Sequence, residues 1–247
     1  IMSATAMDNV RSATPGQVRC SPSVPAHWPI RRHVAAAETT PAGPLHSVEV
    51  TVPAKTNLTL HVGPAHEEWG GRHALDTIYC AISVNDVVTA TAKTPGSEFS
   101  LELSGEHLGD LASSGSDMRR NHAVLALFAI ARAAGREPDV TLHVDKHIPV
   151  GAGLGGGSAD AAATLLAVNT LWGLHWPIER LRDIAATLGA DMPFCLEGGY
   201  AHGTGFGERI IPLEDDSSCV QTLQDRGFAG QLLLGAYHAQ LSTPNVY

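Results

Sequence analysis

The run Pro149-Val150-Gly151-Ala152-Gly153-Leu154-Gly155-Gly156-Gly157-Ser158 places five glycines within seven positions, and the helix-forming stretch Ala159-Asp160-Ala161-Ala162-Ala163 follows at once. Glycine allows positive φ and lets another group come close to the backbone. The first turn of a helix offers unpaired N–H groups and a partial positive charge. Together they form a cradle for an anion, most commonly a phosphate. The helix dipole also favours the carboxylate of Asp160 near that end. A flexible turn ahead of a buried helix would use the same residues.

Three kinds of glycine loop can be compared with this one. A P-loop requires a lysine directly after its last glycine, and Ser158 stands there instead. The dinucleotide fingerprint G-x-G-x-x-G is formally met by Gly151, Gly153 and Gly156. It also needs a carboxylate about 20 residues on to hold a ribose, and residues 167–176 contain none. The third kind is the loop of small-molecule kinases, considered below.

The elements that must position this loop are mixed. Ser47–Val52 and Asn57–Val62 alternate polar and apolar residues, as half-buried strands do. The stretch Ile78–Thr91 reads as one or two further strands, Phe99–Leu103 as a short one, and Val140–Val144 as the strand leading into the loop. Helices are expected over Arg119–Ala134, Ser158–Trp172 and Ile178–Leu188. Strands and helices do not alternate regularly, so the expected class is α+β.

Residues 1–46 contain six prolines and no sustained periodicity, and read as a disordered leader. With four arginines and little acid they also fit an organelle transit peptide, which would make the protein plastid-targeted rather than cytoplasmic. The chain opens on Ile1 rather than Met, as a fragment or a translated upstream region would.

The 247 residues are 44% hydrophobic and 17% charged, an ordinary globular composition. The net charge of −9 argues against a nucleic-acid or anionic-membrane partner, although local groups can still bind a phosphorylated small molecule. No apolar run reaches the length that crosses a bilayer. The four cysteines form no C-x-x-C pair, no His/Cys cluster has zinc spacing, and free thiols in a reducing cytoplasm are expected.

The string P-x-x-x-G-L-G-G-G-S-x-D-A-A, Pro149 to Ala162, resembles the central motif of the kinases that phosphorylate galactose, homoserine, mevalonate and phosphomevalonate. Four further segments resemble the branch acting on 4-diphosphocytidyl-2-C-methyl-D-erythritol: Pro53-Ala54-Lys55-Thr56-Asn57-Leu58, Leu188-Gly189-Ala190-Asp191-Met192-Pro193-Phe194, Gly203-Thr204-Gly205-Phe206-Gly207-Glu208 and Ser242-Thr243-Pro244-Asn245-Val246-Tyr247. The resemblance runs from about Val50 to Tyr247.

It implies a two-domain α+β kinase fold, with an N-terminal domain of ribosomal-protein-like mixed sheet and helices over residues 47–213. Residues 214–247 would begin a second α+β domain that is mostly missing, so a C-terminally truncated chain with little turnover is expected. The implied reaction is ATP-dependent, Mg²⁺-assisted phosphorylation of the substrate's 2-hydroxyl, in non-mevalonate isoprenoid synthesis. The alternatives are a related homoserine- or mevalonate-type kinase, or an inactive fragment that binds nucleotide. The partner is the cytidyl diphosphate substrate, with a second copy of the chain left open.

The resemblance also implies residue roles. Phosphoryl transfer passes through a loose transition state, so positioning and charge stabilisation dominate. Asp191 becomes the base and Lys55 its partner, although each could otherwise be a turn cap and a surface lysine. ATP would be held by Pro149, Gly151, Gly153, Leu154, Gly155, Gly156, Gly157 and Ser158, with Asn121 and Lys146 toward the adenosine. Ser158 would touch a phosphate oxygen or Mg²⁺, or simply cap the helix. Substrate contacts fall on Asn57, His73, Arg72, Thr243 and Tyr247. Arg72 departs from the family, which carries an aromatic there to stack on the base; a guanidinium plane can also stack.

Overall fold

The computed structural model describes residues 45–106, 108, 118–227 and 231–234, together with the backbone of Val18–Arg19 and Ile30–His33. In chain order the strands are β1 (Val18–Arg19), β2 (Ile30–His33), β3 (Ser47–His66), β4 (Arg72–Ala92), β5 (Ser100–Gly105), β6 (Val140–Lys146), β7 (Tyr200–Thr204), β8 (Arg209–Leu213) and β9 (Gln231–Leu232). The helices are α1 (His122–Ala134), α2 (Gly156–Leu171), α3 (Ile178–Leu188), α4 (Met192–Glu197) and α5 (Ser218–Asp225).

Seven strands form one sheet in the order β2-β3-β4-β6-β5, with β7 on the other half of β4 and β8 outside β7. Only the β5–β6 pair is parallel. A parallel pair needs a long crossover, and α1 lies in the segment that supplies it. The class is therefore α+β, as the lack of βαβα alternation implies. Within the stretch read as a leader, Ile30–His33 pairs antiparallel with Ser47–Val50.

The two alternating segments at 47–52 and 57–62 belong to a single 20-residue strand. Its ladder with β4 is broken by register shifts at Pro53/Ala54 and Asn57/Thr59. An added residue in one strand re-aims the side chains beside it. These two irregularities bracket Lys55 and Asn57. Proline cannot donate to a ladder, which fits Pro53 at such a break.

One face of the sheet is covered by helices. Val48, Val50, Val52 and Ala54 of β3, and Val140, Leu142 and Val144 of β6, are fully buried beneath them. Helix α2 lies against β3 and β4 and also touches α1, α3 and α4. It buries residues all round its circumference, from Ala159 to Leu171. A helix so enclosed has no polar face, and its alanines let neighbours approach closely. Helix α1 begins three residues later than the sequence suggests. Asn121 caps it by accepting from the Ala123 N–H at 2.9 Å, and Met118–Arg120 form a separate 3₁₀ turn. Helix α4, the β7–β8 hairpin and α5 are too short to show a sequence period. Cys195 and Cys219 are free, but Cys80 is disulfide-bonded, which corrects the expectation of four free thiols.

Candidate active site

The glycine run is the entry to α2. Gly151, Gly153 and Gly155 have φ of 75°, 74° and 71°. Gly155 is the N-cap of α2, and no side chain caps the helix. Ser158 is therefore the third residue of the helix rather than its cap, which removes the capping role considered for it; its side chain is partly exposed. The N-terminal amides of α2 stay open to an anion, as the cradle requires.

What lies behind the loop explains its composition. A Cβ on Gly155 would stand 2.8 Å from Cγ of Lys55, and one on Gly157 would stand 2.3 Å from Nδ1 of His122. A side chain at either position would force its neighbour to move. The backbone N–H of Lys55 donates to the Leu154 carbonyl at 2.9 Å, fastening the bulged part of β3 to the loop.

The Lys55 side chain crosses Gly155 and ends 3.2 Å from Asp191 Oδ2. Its ammonium also donates to Asn57 Oδ1 at 3.1 Å. Asn57 in turn donates to Thr77 Oγ1 at 2.7 Å, and the Thr77 hydroxyl donates to the Thr59 carbonyl at 2.6 Å. This chain fixes the amide so that its oxygen faces the ammonium. Lys55 and Asn57 sit on one side of β3, two residues apart, as the strand period dictates. Lys55 is buried, while the Asp191 side chain is 33% exposed, so the pair faces outward through the acid.

Asp191 is the N-cap of α4, whose first turn contains Pro193. Tyr79, fully buried on β4, donates its hydroxyl to Asp191 Oδ1 at 3.0 Å. Its ring stacks on Phe194 with centroids 4.8 Å apart. Both carboxylate oxygens are thus oriented, one by an ammonium and one by a phenol. Tyr79 was not legible in the sequence, where it is one aromatic within a β-rich run. Cys195 beside them is buried, and burial raises its thiol pKa above the ordinary range, which keeps it unreactive.

Other expected residues fall elsewhere. Asn121 is engaged in capping α1. Lys146 is 1% exposed; its ammonium donates to Asp86 Oδ2 and, at 2.7 Å, to Asp160 Oδ2. It lies under Gly156 rather than on a surface that adenosine could reach. His73 Nδ1 donates to the Gly63 carbonyl at 2.8 Å. Arg72 lays its guanidinium 4.5 Å from the Phe206 ring centroid, with Trp69 5.9 Å from the same ring. Thr243 and Tyr247 lie outside the described residues.

A helix-terminus cradle joined to an ammonium–carboxylate pair on a mixed sheet is the layout of a small-molecule kinase. Residues 121–199 match the family model "GHMP kinases N terminal domain", and the chain belongs to the GHMP kinases. A 4-diphosphocytidyl-2-C-methyl-D-erythritol kinase of Bifidobacterium adolescentis is 72% identical over 203 residues, which are 82% of this chain and 66% of that protein. The enzyme of the same name from Mycobacterium bovis is 47% identical over 167 residues, 68% of this chain and 50% of that one. A crystal structure of 4-(cytidine 5'-diphospho)-2C-methyl-D-erythritol kinase superposes with TM-score 0.52 and 38% identity, covering 67% of this chain and 55% of its own. The chain thus spans less than two thirds of the length of these relatives.

Proposed function

We propose that this protein transfers the γ-phosphoryl group of ATP to the 2-hydroxyl of 4-diphosphocytidyl-2-C-methyl-D-erythritol. The observation that carries the reading is the convergence of Lys55 and Asp191 beside Gly155, at the open end of α2. The amides of Gly156, Gly157 and Ser158 hold the terminal phosphates. Asp191 accepts the hydroxyl proton as the bond to phosphorus forms. In a loose transition state that proton leaves late, so orientation by Tyr79 and Lys55 matters more than basicity. The Lys55 ammonium stabilises charge growing on the transferring oxygens.

Mg²⁺ fits this site only with the nucleotide's help. Ser158 offers one hydroxyl, and among the described residues no group of three or more His, Cys, Asp or Glu could hold a metal. Bound there, the ion would neutralise phosphate charge. On the substrate side, Asn57 holds the ammonium that meets Asp191, His73 is a further substrate contact of this reading, and Arg72 on Phe206 supplies a planar cation for a nucleobase. The bacterial relatives support a cytoplasmic setting.

The test is transfer of labelled γ-phosphate to the cytidyl substrate, to homoserine and to mevalonate, using this chain and a version continued to the length of its relatives. Transfer to the cytidyl substrate alone is expected. Transfer to another acceptor, or tight ATP binding with no transfer by either protein, overturns the reading.

A further inference from the structure

Helices α1 and α3 do not close fully on one another. Ala129 and Ala133 of α1 and Ile184 and Leu188 of α3 line a common cleft. Residues four apart share a helix face, so each pair forms one wall. The alanines are too short to fill the space to the opposite wall, and a cleft of about 410 Å³ remains. Sites for small molecules span about 300–1,000 Å³. Ile184 and Leu188 pack against the core, which fixes the apolar wall they form.

The rim is charged. Arg132 of α1 and Arg180 of α3 line the same cleft, and both are exposed. Their neighbour Arg182 is paired with Glu179 and Glu197, at 3.5 and 3.1 Å; among the described residues Arg132 and Arg180 enter no ion pair. Arg180 is nonetheless held in place. Its guanidinium lies 3.6 Å from the Trp176 ring centroid. Asn169 of α2 clamps the Trp176 backbone: its Oδ1 accepts the N–H at 3.0 Å, and its Nδ2 donates to the carbonyl at 3.2 Å. A stacked guanidinium keeps its N–H edge open to a carboxylate or phosphate, with part of its freedom already given up. Asp183 also lines the cleft, so the rim keeps one net positive charge. On a chain of net charge −9 that is a local reversal of sign.

We infer that this cleft binds a small organic anion with an apolar tail. The head group sits on the N–H edges of Arg132 and Arg180, and the tail lies between the alanine wall and Ile184 and Leu188. From Arg180 to Leu188, α3 rises about 12 Å, which suits a head group and a chain of about eight carbons. An inorganic anion would leave the apolar walls in water, and a neutral chain would leave the guanidinium groups unpaired. The site is separate from the reacting centre. His122 at the start of α1 stands beside Gly157, whereas Arg132 lies about 15 Å further along that helix.

The experiment is calorimetric titration of the 247-residue chain with octyl phosphate and with octanoate, below their micellar concentrations. Octanol and inorganic phosphate supply the tail and the head alone. At least one amphiphile should bind with one equivalent, at a Kd about tenfold or more below that of either control. Tighter binding of the phosphate ester assigns a phosphorylated ligand; tighter binding of octanoate assigns a carboxylic acid. Arg132→Gln and Arg180→Gln should each raise that Kd about tenfold, the usual size of one hydrogen-bonded contact to a charged group. Both side chains are exposed, so each variant should melt with the parent. Saturating ATP with Mg²⁺ should leave the Kd unchanged. Absence of binding, octanol binding as tightly as the amphiphiles, the parent's Kd in both variants, or displacement by ATP overturns the proposal.

Discussion

The Lys55 ammonium stands 3.2 Å from Oδ2 of Asp191, although one residue belongs to a bulged strand and the other to the N-cap of a six-residue helix. Sheet and helix layer meet at this contact. Removing the acid while keeping its shape, Asp191→Asn, should lower kcat by about 10²–10⁴-fold, the usual range for a positioned proton acceptor. Lys55→Met should lower kcat by about 10²–10³-fold, as loss of one charge-stabilising donor does. Steady-state assays in the version continued to the length of its relatives check both. Loss of less than tenfold in either would remove that residue from the reacting centre.

Tyr79→Phe deletes one hydroxyl and leaves the ring on Phe194. Asp191 then loses one of its two orienting donors. The change should cost about 1 kcal/mol of stability and lower kcat with little change in KM for ATP. Thermal melting beside the kinetics separates the two effects.

Gly155→Ala adds a methyl at φ 71°, 2.8 Å from the Lys55 stem. The left-handed backbone alone costs about 1–2 kcal/mol. Both KM for ATP and kcat should worsen, because the loop and the amine are displaced together. Unchanged kcat with raised KM would show that the contact is incidental.

Arg72→Ala leaves Phe206 and Trp69 in place but removes the guanidinium plane. KM for the cytidyl substrate should rise, by an amount of the order of a cation–π contact, about 0.5–2 kcal/mol, while KM for ATP stays constant. A shift in the ATP value instead would place Arg72 on the other ligand.

Asp160 makes a stability prediction independent of any ligand. Its folded pKa of about 7 lies above the unfolded carboxyl value of about 3.9. The folded protein therefore holds more protons between these values, and stability falls as pH rises from about 4 to about 7, then levels. The limiting slope for one such group is about 1.4 kcal/mol per pH unit. Urea unfolding midpoints over that range should show the slope in the parent and its loss in Asp160→Asn.

Much of this arrangement could be read from the chain. Ser47–Val52 and Val140–Val144 announce strands through strict alternation, and the glycine run announces the start of α2. The continuity of β3 could not be read, because irregularities near Pro53 and Asn57 interrupt its period of two. Lys146 was misplaced for a related reason: spacing puts it beside the loop but does not say which side. Its burial depends on Asp86, contributed by a strand distant in sequence. Tyr79 shows the same limit, since its partner Asp191 is a tertiary neighbour. Local pattern carries the elements, while the direction in which a polar side chain points is set by the packing of several of them.

The stem of Lys55 rests directly on Gly155. In the proposed reaction, gripping the nucleotide and lending charge to the migrating phosphoryl group become one mechanical event, and substitutions at these two positions should not sum. A double-mutant cycle across them should return a coupling as large as either single loss.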